Sequence, residues 1–302
     1  MKAVVLHEYG GPDKLKYEDV PDPVAGDGQV LVRVAASSVN PIDYKLRSGI
    51  FKDFMPLQFP AILGNDFSGI VRAVGPGVSE FAPGDKVMGM ADSTNAELVV
   101  AKVSAMTHLP DGLDLVEAAA LPVVTLTGEQ LITKGTKIQA GQTVLVTGAV
   151  GKVGRSAVHA AKKAGATVIA GVRKTQVMAA ATVGADEVLA LDDASELEKL
   201  GFIDAVADTV GGRTAEELLG KVKQGGIFAS VLGPPANAKM HPTISVEHVI
   251  VQPVAEMLRI LAEDVVAGRL VIPIDRMVPL EEAGAAQAAA EKGGIGKILL
   301  LA

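Results

Sequence analysis

The 302-residue sequence predicts an α/β protein that combines a β-rich part with a doubly wound parallel sheet. Three observations support this prediction. The first third of the chain carries short, closely spaced strand patterns separated by Gly and Pro. From Gln142 onward, apolar strand patterns alternate with helical ones. The chain then closes on an alanine-rich helix followed by one more strand pattern.

Short alternating segments define the β-rich part. Apolar and polar residues alternate over residues 30–34 and 69–74, and Gly75-Pro76-Gly77 then requires a turn. Further strands are predicted over residues 84–88 and 96–100. Strands this short and this closely spaced are typical of a compact β-barrel or sandwich.

The central part of the chain repeats strand and helix. Helices are predicted over residues 115–120 and 123–131, and residues 143–147 then form a continuous apolar run. Such a run is expected where helices cover both faces of a parallel sheet. A helix over residues 156–164 follows, and further strands are predicted over residues 167–170, 187–191, 203–207 and 227–231. This repetition favours a doubly wound sheet.

The tail changes pattern again. Helices are predicted over residues 257–267 and 281–291, with extended segments at 270–273 and 277–278 between them. Residues 296–300 form a final apolar strand. A strand that follows a polar helix in this way is able to return to the β-rich part.

Composition excludes several classes of function. The chain contains no cysteine, which excludes disulfides, thiolate metal sites and cysteine nucleophiles. Its formal net charge of −7 and its lack of basic runs argue against nucleic-acid binding. No apolar stretch reaches the roughly 18 residues that a membrane-spanning helix needs. The first residues also lack the pattern of a secretory signal, so we expect a cytoplasmic protein without a membrane partner.

A glycine-rich loop directly follows the apolar strand and precedes a helix, which is the context that a dinucleotide-binding fingerprint requires. Gly151 allows the backbone to approach a pyrophosphate, and Gly154 allows close packing of helix and strand. The first N–H groups of the helix would face the anion. The alternative is a glycine-rich turn that binds no ligand. The predicted cofactor-binding residues of the loop are Gly148, Ala149, Val150, Gly151, Lys152, Val153 and Gly154.

The residues after the next strand indicate which dinucleotide is bound. NAD-specific proteins place a carboxylate there, about 20 residues beyond the loop, to hold the ribose 2′-hydroxyl. This sequence has Arg173 and Lys174 instead. A guanidinium and an ammonium suit a 2′-phosphate, so NADPH is the predicted cofactor. Two solvated cations at the start of a helix are the alternative.

Several separated motifs resemble one known family. They are the segments 39–49 (VNPIDYKLRSG), 63–71 (LGNDFSGIV), 74–78 (VGPGV), 83–87 (PGDKV), 118–122 (AAALP), 208–212 (DTVGG) and 296–299 (GKIL). Together they resemble the medium-chain dehydrogenase/reductase superfamily, in particular its zinc-less quinone oxidoreductase, or zeta-crystallin-like, branch. The resemblance implies a GroES-like substrate domain over residues 1–117 and 268–302 and a Rossmann dinucleotide-binding domain over residues 118–267. It also implies an active site between the two domains and a homodimer.

The resemblance implies roles for individual residues. Asn40 and Tyr44 would be catalytic, with the Asn40 amide and the Tyr44 hydroxyl donating to the substrate oxygen near the nicotinamide. Cofactor contacts are implied for Thr127, Val231, Leu232, Gly233 and Lys297. The alternatives are structural: Asn40 caps the loop before Pro41, Tyr44 packs against the following helix, and Lys297 is a surface cation.

The same resemblance bears on metal and reaction. Zinc-dependent members hold their metal with a Cys, a His and a second Cys, and these positions correspond here to Asn40, Asn65 and Val123, which cannot form that ligand set. We therefore predict a zinc-independent reductase that transfers hydride from NADPH to a quinone or α,β-unsaturated carbonyl, substrates that are electron-poor without a Lewis acid. The alternatives are an NADPH-binding structural or regulatory protein with little turnover, and an enoyl-thioester reductase.

Overall fold

The computed structural model describes residues 1–294 and 296–302. The chain divides into two compact units, the first formed by Met1–Val123 together with Pro253–Ala302 and the second by Val124–Gln252. The first unit therefore contains both ends of the sequence. The predicted domain boundaries lay at 117/118 and 267/268, so the second unit is shorter than predicted at both of its ends.

Strands and helices follow one another through both units. The strands are β1 (Lys2–Leu6), β2 (Leu15–Asp19), β3 (Gln29–Ser38), β4 (Ala61–Ile62), β5 (Asp66–Val74), β6 (Lys86–Met90), β7 (Leu98–Lys102), β8 (Met106–His108), β9 (Thr143–Thr147), β10 (Thr167–Val172), β11 (Glu187–Ala190), β12 (Ile203–Asp208), β13 (Val222–Ser230), β14 (Ser245–His248), β15 (Ile274–Pro279) and β16 (Lys297–Leu301). The helices are α1 (Pro41–Arg47), α2 (Pro122–Gln130), α3 (Lys152–Lys163), α4 (Val177–Ala180), α5 (Ala194–Lys199), α6 (Gly212–Leu219), α7 (Ala255–Val266) and α8 (Ala283–Glu291). Short 3₁₀ turns join several of them, and α2 continues into a wider helical turn at Leu131–Thr136.

The first unit is built around β3. This strand pairs antiparallel with β5, β7 and β16 in a seven-stranded sheet. Six of the strands follow the order β15-β16-β3-β5-β6-β8, and β7 joins the sheet beside β3 outside this order. Along β3, Val30, Val32 and Val34 are buried while Arg33 is exposed, which is the alternation expected of a strand with one face on the core. The final strand thus returns to the β-rich unit, as the sequence indicated. A smaller sheet of order β2-β1-β4 completes the strands of this unit.

Helix α7 lies in the first unit, although the prediction assigned residues 257–267 to the dinucleotide-binding domain. Its residues Leu258, Leu261 and Ala262 are buried, and the helix contacts β8. An amphipathic pattern requires that an apolar face be covered, but it does not identify which unit covers it. The boundary therefore falls before α7 and not after it.

The second unit is a six-stranded parallel sheet of order β11-β10-β9-β12-β13-β14. In its central strand β9, Val144 and Val146 belong to one buried cluster and Leu145 to another. Both faces of the strand are therefore covered, which explains its unbroken apolar run. The predicted α/β class and doubly wound sheet are confirmed. Within the described residues, no helix combines the length and the apolar character that crossing a membrane requires.

Candidate active site

The predicted glycine loop joins β9 to α3. Gly148 has a φ of +61°, a left-handed conformation that favours glycine, and Gly151 occupies the N-cap of α3 with no side chain capping the helix. A Cβ at Gly154 would lie 2.1 Å from the Gly148 carbonyl oxygen, so only glycine permits this approach of helix to strand. This geometry suits a pyrophosphate held by backbone N–H groups at a helix start.

The side chains of the loop divide between core and surface. Ala149 and Val150 are buried and join the core cluster on one face of the sheet. Lys152 and Val153 are half-buried in the first turn of α3. Ala149 and Val150 therefore support the loop by packing, and any contact they make with a ligand comes from their backbone.

The carboxylate of Asp208, at the end of β12, accepts hydrogen bonds that fix the end of β9, where the loop begins. Its Oδ1 accepts hydrogen bonds from Thr147 Oγ1 at 2.9 Å and from the backbone N–H groups of Val210 at 3.1 Å and Gly211 at 3.0 Å. Its Oδ2 accepts one from Ser230 Oγ at 2.7 Å. The carboxylate is fully buried. It thus ties the carboxyl ends of β9, β12 and β13 together at the edge where doubly wound sheets bind ligands.

Three of the predicted nicotinamide-side residues follow that same network. Val231, Leu232 and Gly233 come directly after β13, and the Leu232 N–H donates to Ser230 Oγ at 3.0 Å. The Leu232 side chain is 48% exposed, whereas Thr127 in α2 is almost covered. The segment after β13 is therefore open to a ligand.

The two cations that follow β10 have different surroundings. Arg173 and Lys174 are both exposed. The Lys174 ammonium lies 3.2 Å from Asp193 Oδ2, and its backbone N–H donates to Asp192 Oδ1 at 2.6 Å. The Ser195 hydroxyl and then Lys174 lower the pKa of Asp193 to about 2, so that carboxylate is ionised at neutral pH. Lys174 is thus partly neutralised, which leaves Arg173 as the better partner for a phosphate.

Asn40 lies at the start of α1, but its side chain faces the interior of the first unit. Its Nδ2 donates to Asp66 Oδ2 at 2.7 Å and to the Ser38 carbonyl oxygen at 3.4 Å, and its Oδ1 accepts from Lys297 Nζ at 2.8 Å. The residue is 2% exposed. Its amide hydrogens are therefore engaged within the protein, an arrangement closer to the structural alternative than to donation to a substrate.

Tyr44 has a different environment, one turn further along α1. Its side chain is half-buried, and among the described residues its hydroxyl has no hydrogen-bond partner. Burial raises the pKa of Tyr44, so the hydroxyl keeps its proton at neutral pH. Burial also raises the pKa of the neighbouring Asp43 to about 7, and one of its N–H partners is the Asn40 backbone at 2.7 Å. Tyr44 can therefore donate a hydrogen bond.

Lys297 does not extend to the surface. Its Nζ lies 3.1 Å from Asp66 Oδ2, and both side chains have 0% exposure. Ser38 Oγ donates to the same Asp66 oxygen at 2.5 Å, and the Val123 N–H donates to Asp66 Oδ1 at 2.7 Å. This placement argues against the prediction that Lys297 contacts a cofactor, and equally against a surface cation. Its ammonium forms a buried ion pair with Asp66, which local sequence patterns do not reveal.

Two of the three predicted counterparts of a zinc site bond to the same carboxylate. Asn40 and Val123 both bond to Asp66, and Asn65 precedes it in the chain. This set offers no Cys or His, the ligands that zinc prefers alongside carboxylate. Across residues 1–294 and 296–302, no cluster of three or more His, Cys, Asp or Glu side chains could hold a metal ion. The residues present therefore do not fit zinc.

A cavity of about 390 Å³ opens in the first unit next to α1. Its aliphatic wall is formed by Leu46, Met55, Pro56, Leu57, Ile62 and Leu63. Asn65, Asp92 and Ser93 are its polar members, and Ser93 Oγ donates to the Ile62 carbonyl oxygen. Asp92 is exposed and forms no hydrogen bond or ion pair with another described residue. A small, mostly apolar cavity with few polar groups is typical of a site for a small organic molecule.

Comparison with known proteins identifies the family. The model of the alcohol dehydrogenase GroES-like domain matches residues 26–111, and that of the zinc-binding dehydrogenase matches residues 183–300. The solved structure of a quinone oxidoreductase from Coxiella burnetii is 31% identical, covers 100% of this chain and 99% of that one, and gives a TM-score of 0.89. The chain belongs to the medium-chain dehydrogenase/reductase superfamily. The predicted GroES-like character of the β-rich unit is confirmed.

Two further proteins are similar to this chain. A chloroplast envelope quinone oxidoreductase homolog from Arabidopsis thaliana is 36% identical over 199 residues, which are 63% of this chain and 60% of that protein. The chain thus spans about 60% of the length of the curated relatives it matches. A mycobacterial protein, Rv1454c, whose structure was solved as a complex with NADPH, is 27% identical with a TM-score of 0.88 and full coverage of both chains.

Two buried carboxylates, one in each unit, were not assigned a role from the sequence. Asp66 and Asp208 both stood within the quoted motifs, yet the hydrogen bonds that each accepts join distant segments of the chain. A carboxylate directly after an apolar strand pattern, as at Asp208, was the available signal, because buried acids are retained only where donors satisfy them.

Proposed function

We propose that the protein is an NADPH-dependent, zinc-independent reductase that transfers hydride to a quinone or an α,β-unsaturated carbonyl. The observation that carries this proposal is the β9–α3 loop, where Gly151 opens a helix N-terminus and Gly154 packs on the Gly148 carbonyl oxygen. The membership in a superfamily with quinone oxidoreductase relatives, one of them solved with NADPH, supports the choice of cofactor and acceptor. Bound NADPH would supply the hydride.

The proposed roles of the residues follow their surroundings. The loop at Gly148–Gly154 holds the diphosphate, and Arg173 holds the 2′-phosphate of the adenosine ribose. Tyr44 donates a hydrogen bond to the substrate oxygen as negative charge develops there, since its hydroxyl is protonated at neutral pH. Asn40 does not donate to the substrate, because its amide is bonded to Asp66 and Lys297.

Arg173→Ala is expected to weaken NADPH binding by roughly 10-fold or more, the effect of losing a hydrogen bond to a charged group. NADH binding should not change, because NADH has no 2′-phosphate. Lys174→Ala is the matched control. It should weaken NADPH binding less, because the Lys174 ammonium already pairs with Asp193. Fluorescence titration of each variant with both cofactors measures this. Equal affinities for NADH and NADPH in the unaltered protein would contradict the assignment of Arg173.

The aliphatic cavity beside α1 is the proposed site for the apolar part of the acceptor, and the one carboxylate in its lining predicts a charge preference. We expect neutral quinones to be reduced with a lower KM than carboxylated quinones of similar size, because Asp92 repels an anion. Asp92→Asn should lower the ratio of the KM for carboxylated quinones to the KM for neutral quinones by about 3-fold, a typical effect for an exposed charge. Asp111→Asn removes an exposed carboxylate that does not line the cavity, so it should leave the preference unchanged. An unaltered preference in Asp92→Asn would place the acceptor elsewhere.

The direct test is NADPH oxidation followed by absorbance. The purified protein is mixed with NADPH and with a panel of small 1,4-quinones and α,β-unsaturated aldehydes and ketones. Saturable oxidation with at least one acceptor class, reduced strongly by Tyr44→Phe, is expected. Absence of turnover with every acceptor, in protein that binds NADPH, would instead support the second candidate.

That second candidate is an NADPH-binding structural or regulatory protein with little turnover. One observation favours it: the amide of Asn40, one of the two predicted donors to substrate, is already engaged inside the protein.

A further inference from the structure

The segment that follows α1 carries an exposed apolar surface. Its residues Ile50, Phe54 and Met55 are 67%, 86% and 52% exposed, and we call these three side chains the apolar rim. Single exposed apolar residues are normal on a protein surface, whereas a group of them within one short segment is typical of a surface that contacts another molecule. The apolar rim is therefore a candidate binding surface of the first unit.

Hydrogen bonds and a ring contact fix the backbone of this segment. The Met55 N–H donates to the Phe51 carbonyl oxygen at 2.7 Å, which closes a turn inside the segment. The Leu57 N–H donates to the Tyr9 hydroxyl oxygen at 2.8 Å, and the Tyr9 ring meets the edge of Phe59 with the ring centroids 4.8 Å apart. The segment is thus tied to the start of the chain on one side while its apolar side chains stay in water.

The apolar rim is continuous with the aliphatic cavity beside α1. Met55 belongs to both, because it lines the cavity and is also half exposed. Ile50 and Phe54 do not line the cavity, so they extend its apolar surface outward beyond Met55. The charges of Lys52 and Asp53 within the segment cancel each other. The combined surface therefore suits a neutral apolar chain that is longer than the cavity alone can hold.

We propose that the preferred acceptor carries a neutral alkyl chain, which leaves the cavity past Met55 and lies on the apolar rim. The chain site rests on the proposed function, because the cavity is assigned there to the apolar part of the acceptor. Full burial of one methylene group favours binding by about 4-fold. An open surface covers a chain on one side only, so each methylene group on the apolar rim should contribute about 2-fold.

A series of 2-alkyl-1,4-benzoquinones tests the proposal, with chains that lengthen from methyl to hexyl. With NADPH as the reductant, the KM for the methyl compound should exceed that for the hexyl compound by about 30-fold. Phe54→Ser should lower this ratio by about 3-fold or more, because the chain loses part of the apolar rim. A ratio close to one in protein that reduces both quinones would overturn the proposal and leave the proposed reductase intact.

Val24→Ser is the matched control for Phe54→Ser. Val24 lies in the same unit, is as exposed as Phe54 and does not line the cavity. Its substitution removes an exposed apolar side chain elsewhere, so the ratio of the two KM values should stay the same. An equal decrease in both variants would mean that alkyl chains associate with any exposed apolar group, and the proposal would fail.

A binding measurement separates the chain site from the reaction. The protein is labelled with ¹³C at its methionine methyl groups, the Met55 signal is assigned by its loss in Met55→Leu, and 4-hexylphenol is added as a ligand that NADPH cannot reduce. The Met55 signal should shift, whereas that of Met178, which is exposed in the second unit, should not. A shift at Met55 without turnover of any quinone would refute the proposed reductase only. Quinone turnover without this shift would refute the chain site only.

A lipid bilayer and a second copy of the chain are the other possible occupants of the apolar rim. Sedimentation with phosphatidylcholine vesicles tests the first, and analytical ultracentrifugation at several protein concentrations tests the second. The unaltered protein and Phe54→Ser should behave alike in both measurements. Vesicle binding or self-association that Phe54→Ser abolishes would assign the apolar rim to that occupant and overturn the proposal.

Discussion

Gly154→Val is expected to weaken NADPH binding strongly and to destabilise the second unit. A Cβ at this position would lie 2.1 Å from the Gly148 carbonyl oxygen and 2.7 Å from its carbonyl carbon. Both atoms belong to the backbone, so no side-chain rotation relieves the clash. The helix must move away from the loop, which we expect to lower the free energy of unfolding by about 3 kcal/mol, the upper end of the usual range for overpacking. NADPH affinity should fall by at least about 100-fold, or about 2.7 kcal/mol.

Gly201→Val is the control for this substitution. Gly201 lies in the same unit, has no left-handed conformation, and a Cβ there would meet nothing within 4 Å. Its variant should unfold and bind NADPH as the unaltered protein does. Calorimetric titration with NADPH and urea unfolding measure both effects. Near-normal NADPH affinity in Gly154→Val would mean that the cofactor does not lie on this loop.

Asp208→Ala is the second substitution for which we expect a large effect. It removes the acceptor of four hydrogen bonds, from Thr147 Oγ1, Ser230 Oγ and the N–H groups of Val210 and Gly211. The donors are then left in a buried pocket, and we expect a loss of about 3–5 kcal/mol in the free energy of unfolding. NADPH affinity should fall as well, because β9 and β13 lose the group that holds their ends together.

The matched control is a second carboxylate on the same strand. Asp204 in β12 pairs with Lys223, and its side chain is 22% exposed, so water can replace part of what Asp204→Ala removes. Its destabilisation should be clearly smaller than that of Asp208→Ala. Urea unfolding of the two variants in parallel gives the comparison. An equal loss in the free energy of unfolding in the two variants would show that the hydrogen bonds of Asp208 stabilise the protein no more than those of Asp204.

Much of the fold follows from local patterns. Residues 143–147 were predicted as a strand covered on both faces, and β9 has those bounds with its side chains divided between two buried clusters. The edge strand β14 was not predicted, because its half-exposed sequence Ser-Val-Glu-His carries no continuous apolar signal. The amphipathic pattern over residues 257–267 predicted a helix correctly but could not indicate which unit buries it.

The site was less accessible to sequence reasoning because its contacts are distant in the chain. Asn40 and Lys297 were both selected as candidate site residues, yet nothing in either segment indicates that they bond to each other across 257 positions. Their partner Asp66 lies in a third segment. Similarly, the sequence does not show that Lys174 pairs with Asp193 whereas the neighbouring Arg173 does not. Residue types were predictable, whereas their pairing depended on the tertiary structure.

The measurement that most directly tests the proposed reaction uses NADPH carrying deuterium at C4 of the nicotinamide, in its two stereochemical forms. Each form is incubated with the protein and an α,β-unsaturated ketone, and the product is examined by mass spectrometry. We expect deuterium at the β-carbon of the product from one form only, because a cofactor held by the loop at Gly148–Gly154 presents one face of its ring. Product that contains no deuterium from either form would contradict direct hydride transfer.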